Sequence, residues 1–159
     1  MLLDLPLFTL IHVLLSLFGI LAGLVMVGGI VWGNHLARWT SLFLAATILT
    51  NITGFFFPFT TILPSHIVGV LSLFALMVAL IALYAKRLAG PWRRIFVITS
   101  ILSLYLNVFV LVAQLLARIP VLAAIAPNPG APAFAIAQRV VLVFFAGIGW
   151  SAMKRFQHA

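Results

Sequence analysis

Four histidines, nine lysines and arginines, and one carboxylate side chain, Asp4, make up the ionisable chemistry of this 159-residue chain, apart from two tyrosines. With a single acid and no cysteine, several reaction classes are closed within the chain. Carboxylate-pair hydrolysis, Ser-His-Asp triads, thiolate nucleophiles, disulfide exchange, Cys-ligated zinc and iron–sulfur clusters all lack their groups. Proton and cation pathways through a membrane usually rest on Asp or Glu within a span, and the apolar runs of this chain hold neither. Hydrogen bonding, cationic charge and imidazole remain. Their densest collection is "TNITGFFFPFTTILPSH", Thr50 to His66, which sets polar groups and two prolines around a phenylalanine cluster.

Helical spacing sorts the other candidates into faces. His12, Ser16, Gly19 and Gly23 fall at steps of four, three and four, with Gly19 and Gly23 as a GxxxG packing pair. Thr47, Thr50, Asn51 and Gly54 share a second face, and Ser103, Asn107, Gln114 and Arg118 a third. Gln138 and Arg139 lie near the start of the last apolar run, and His66 opens the third run. At 1.5 Å per residue, His12 and Asn51 both come about 9 to 11 Å below the same end of their helices. An unpaired polar group in hydrocarbon costs several kcal/mol. A polar vestibule at one end of a helical bundle, walled by Phe55 to Phe59, accommodates all of these residues.

The elements that must position them are read from composition. Hydrophobic residues make up 65% of the chain, charged residues 6%, and the mean hydropathy is +1.32. A soluble domain carries roughly 25% charged residues, so the expected class is an all-α integral membrane protein. Five apolar runs, about 7–32, 39–57, 66–85, 92–117 and 133–153, are each near the length a bilayer demands. They predict one five-helix transmembrane bundle with short connections. The first run lacks a basic leader and is read as a retained span. The segment Pro120 to Pro132, with "PVLAAIA" as a short interfacial helix, is expected to cover the vestibule.

Five spans place Arg38, Lys86, Arg87, Arg93, Arg94, Lys154 and Arg155 on one side, seven of the nine basic residues. That side is expected to be cytoplasmic, with the N-terminus outside and the C-terminus inside. Trp32, Trp39, Trp92 and Trp150 fall at the same interface. Because the net charge of +8 sits at the ends of apolar runs, it indicates membrane orientation rather than nucleic-acid binding.

Three functions fit these residues. The first is a binding or transport-assisting protein whose vestibule takes an anionic or amphiphilic small molecule. Arg118 and Arg139 would supply charge there, and His12, Asn51, His66, Asn107, Gln114 and Gln138 would supply hydrogen bonds. The second is a redox subunit holding b-type haem or quinone, with His12 and His66 as metal ligands and His35 and His158 solvated at the basic side. The third is a non-catalytic accessory subunit, bound to a larger membrane complex through Gly19, Gly23 and the Phe-rich surface, with a homo-oligomer as a further partner.

The stretch "SHIVGVLSLFALMVALIALYAKRLAGPWRRIFVITSILSLYLNVFVLVAQ", together with "TGFFFPF", carries a His66–Gly69 helix start and an Arg87-Leu88-x-Gly90 loop. It resembles small bacterial inner-membrane proteins of no established activity. The resemblance implies a multi-pass fold in a bacterial inner membrane and assigns no site residue.

Overall fold

The computed structural model describes residues 5–58 and 64–156. Asp4, Phe59 and His158 lie outside the described residues. Within them the protein is helical throughout. The elements are α1 (Leu5–Val31), α2 (Ala37–Gly54), α3 (Pro64–Leu80) continuing into a π turn (Ile81–Ala85), α4 (Trp92–Arg118), α5 (Pro120–Ile125) and α6 (Pro132–Phe156). Four of these segments, Pro6–Val31, Pro64–Ala85, Trp92–Arg118 and Pro132–Phe156, are long and apolar enough to cross a membrane. The fifth expected span coincides with α2. At 18 residues it is about 27 Å long, and Arg38, Asn51 and its hydroxyl residues make it less apolar than the other four.

Helix ends fall where backbone chemistry dictates. Gly33, at φ +82°, takes the left-handed position after α1, and Asn34 N–H donates to the Gly29 carbonyl at 2.8 Å, closing a Schellman-type cap. Ile119 is extended because Pro120 follows it, which stops α4 and starts α5. Asn128 Oδ1 accepts from Gly130 N–H at 2.9 Å in an Asx turn that leads into α6.

Helix α2 runs back along α1, and α4 along α3, so these four helices form the centre of the bundle. Phe43, Met26, Ile30, Leu76, Phe96 and Leu104 are its fully buried large side chains. Helix α6 packs on α4 and α1 from one side, and only 11% of its most apolar stretch is buried. Its exposed Ile136, Val140, Val143, Phe144 and Trp150 form a surface suited to lipid.

The bundle therefore has two unlike ends. The basic end holds seven of the nine lysines and arginines and all four tryptophans. Lys86 Nζ lies 5.4 Å from the Trp92 ring and Lys154 Nζ 4.9 Å from the Trp150 ring. Between α1 and α2, His35 packs against Phe96 and Phe156, and this partial burial lowers its pKa below the ordinary histidine value. The far end holds the start of α1, the Phe55–Phe57 turn, the start of α3, and the connection through α5 to α6.

Candidate functional site

The structure distributes the polar candidates over several places instead of one open mouth. Interhelical hydrogen bonding absorbs many of them. At mid-height Ser16 Oγ on α1 donates to Asn107 Oδ1 on α4 at 3.0 Å. One turn away on α4, Ser103 Oγ pairs with Ser72 Oγ on α3 at 2.7 Å. Asn51 Nδ2 on α2 donates to Ser72 Oγ at 3.1 Å and to the Thr47 carbonyl at 2.8 Å. Asn51 and Asn107, both expected in the vestibule, thus belong to an internal polar layer that links four helices. Ser72 was not legible as a member, since it is an isolated serine in an apolar run. The only sequence signal was that a hydroxyl in such a run needs a partner.

His12 is tied to the end of α2. Its Nδ1 lies 2.8 Å from Thr53 Oγ1, which is also within hydrogen-bond distance of the Leu49 carbonyl at 2.8 Å and the Thr50 carbonyl at 3.1 Å. A β-carbon on Gly54 would sit 3.6 Å from His12 Cε1, and Phe57 meets the imidazole edge-on at 5.1 Å between centroids. His66 instead packs on Phe55, at 5.7 Å. The aromatic turn thus sets a different phenylalanine against each imidazole. Among the described residues, no group of three or more His, Cys, Asp or Glu is placed to hold a metal ion.

A cavity of about 320 Å³ opens at the far end between α3, α4, the loop after α5 and the start of α6. Its walls are mainly apolar, with Val68, Phe109, Ala113 and Phe134 among them, and Gln114, Ser65 and Asn128 add polar groups. Ala126 to Pro129 of the Pro120–Pro132 connection form one of its walls. Periodicity placed Gln114 and Arg118 on one face, and Arg118 Nε donates to Gln114 Oε1 at 2.8 Å. Arg118 is exposed beside the cavity residues Gln114 and Ala117. Ser65, Phe109 and Phe134 are lining residues that sequence reasoning passed over, because they come together only through the α3–α4–α6 packing.

Gln138 is 8% exposed, and its Nε2 donates to the Phe109 carbonyl at 3.1 Å, which pins α6 to α4 one turn beyond Phe134. Arg139, next in sequence, is exposed. Of the two far-end arginines, only Arg118 is hydrogen-bonded to a cavity residue. Gly19 and Gly23 face α2: β-carbons there would meet Thr47 Oγ1 at 3.2 Å and the Phe43 ring at 2.8 Å. Comparison of the chain with protein-family models, with curated proteins and with solved structures returned no match.

Proposed function

We propose that this protein binds an anionic amphiphile at its far end, with an apolar chain in the cavity and the charged head at Gln114 and Arg118. The cavity beside the Arg118–Gln114 hydrogen bond carries this reading. Phe109, Ala113 and Phe134 offer apolar wall to a chain. Because Gln114 engages only Nε of Arg118, the two outer guanidinium nitrogens remain for a phosphate or carboxylate. The 320 Å³ volume is near the lower limit of ligand pockets, which favours one chain over a whole two-chain lipid. Scarcity of acids adds to the argument, since Asp4 is the only side chain that could neutralise a far-end arginine.

The same reading takes α2 as the fifth span. Helix α1 ends at the basic end and α3 begins at the far end, so α2 must travel between them. The His12–Thr53 contact at one end and the Gly23–Phe43 approach further in support an antiparallel pair. The basic end then faces the cytoplasm and the cavity faces outward.

Thermal denaturation of detergent-purified protein with lysophosphatidylglycerol or lysophosphatidylcholine tests the proposal. The anionic lipid is expected to raise Tm by several degrees more than the zwitterionic one. Arg118→Gln should remove that difference, since a charge-assisted hydrogen bond is worth about 1.5 to 3 kcal/mol, or tenfold and more in affinity. Ala113→Trp, which fills the cavity, should abolish both shifts. Equal shifts with the two lipids, or an undiminished difference in Arg118→Gln, would overturn the assignment.

A further inference from the structure

The mid-height polar layer is nearly a closed ring. It passes from Ser16 on α1 to Asn107 on α4, one turn along α4 to Ser103, across to Ser72 on α3, then to Asn51 on α2 and one turn back to Thr47. Thr47 returns to α1 at Gly19, whose missing β-carbon would lie 3.2 Å from Thr47 Oγ1. Ser16 and Gly19 are one turn apart, so a single turn of α1 faces Asn107 on one side and Thr47 on the other.

Two groups in this ring have no partner within the protein among the described residues: Thr47 Oγ1 and Asn107 Nδ2. Thr47 is 0% exposed. The Asn107 case does not depend on how the amide is turned, because only one of its two ends can meet Ser16. Leaving a buried donor or acceptor unpaired is unfavourable, because the group loses its hydrogen bonds to water without a replacement. Polar sites of this kind, flanked by two or more hydrogen-bonding groups, are where proteins hold internal water.

We propose that internal water is bound at mid-height of the bundle, hydrogen-bonded to the Thr47 hydroxyl and to the Asn107 amide, making this level a hydrated layer. The site is built from neutral polar groups. It lies inside the bundle, separate from the far-end cavity, and stands whether or not that cavity binds an amphiphile.

Two measurements on the full chain decide it. Thr47→Val removes the hydroxyl at nearly constant volume. If the hydroxyl holds water, valine strips a partner from a bound water and Tm falls by several degrees, while Thr47→Ser, which keeps the hydroxyl, falls less. If the layer is dry, valine relieves an unpaired group and Tm is unchanged or rises, which overturns the proposal. The second measurement is magnetisation transfer from water to the Asn107 side-chain amide in nitrogen-15-labelled wild-type protein. A cross-peak to water is expected, and a resolved Asn107 amide without one overturns the proposal independently of any variant's folding.

Discussion

A β-carbon at Gly23 would come within 2.7 Å of Leu104 Cδ1 and 2.8 Å of Phe43 Cδ2, and both of those side chains are fully buried. Neither has room to retreat. Gly19 is looser, with its nearest neighbour, Thr47 Oγ1, at 3.2 Å. Gly23→Ala is therefore expected to destabilise the protein by about 1 to 3 kcal/mol through overpacking, and Gly19→Ala by clearly less. Thermal unfolding in one detergent compares them, and equal losses would show that the α1–α2 approach is not tightest at Gly23. The pair was legible because i, i+4 glycines in an apolar helix commonly mark a packing seam, although at Gly23 it is the Phe43 and Leu104 side chains, not a neighbouring backbone, that fill the space. The far-end face of α4 was legible for a similar reason, since Gln114 and Arg118 are one turn apart and do bond. Ser72 and Thr53 were not, because a lone hydroxyl takes its partner from another helix, and pairing between helices leaves no mark in the periodicity of either one.

At the scale of elements, the helices followed from the apolar runs, with Pro58 beyond the end of α2 and Pro64 and Pro91 at the starts of α3 and α4. The end of α3 did not. Its last turn widens to a π turn with Lys86 N–H donating to the Ile81 carbonyl at 2.9 Å, and Leu88 N–H reaches back to Ala82 at 2.9 Å. That path sends Arg87 to φ 48° and Leu88 to φ 56°, a region in which side chains other than glycine and asparagine are uncommon. Tertiary packing outweighs the local cost: Leu88 is half-buried against the core, and its carbonyl accepts from Arg93 Nε at 3.3 Å. The two positions should respond oppositely to glycine. Arg87 is exposed, so Arg87→Gly relieves strain of roughly 1 kcal/mol and is expected to hold or raise Tm. Leu88→Gly gains similar relief but loses its core contacts, and Tm should drop. Chemical or thermal denaturation of the two variants reads the sign directly, and a fall in both would mean that Arg87 is held by a contact worth more than the strain.

For the whole molecule, composition identified a helical protein of membrane-spanning character, because 65% hydrophobic and 6% charged residues leave no polar surface with which to cover a soluble core. Span number is a finer matter, and α2 decides it. Of the polar side chains that reduce its hydropathy, Thr40, Thr47 and Thr50 are buried and Asn51 is half-buried on Ser72, while Arg38 and Ser41, near the basic end, are exposed. A crossing α2 would therefore show lipid the apolar Leu42, Leu49 and Ile52, which are exposed. Absence of cysteine makes the crossing measurable, since any introduced thiol is the only one. Asn34 lies between α1 and α2, Ala89 between the π turn and α4, and Asn128 between α5 and α6, and all three are exposed. If α2 crosses, Asn34→Cys and Ala89→Cys share one side of the membrane and Asn128→Cys takes the other. If α2 does not cross, Asn34 and Ala89 fall on opposite sides, because only α3 then separates them. With the basic end cytoplasmic, a membrane-impermeant maleimide applied to intact cells should label Asn128→Cys alone, and the other two only after permeabilisation. Labelling of Asn34→Cys without Ala89→Cys would reduce the bundle to four spans, and labelling of both without Asn128→Cys would keep five and invert them.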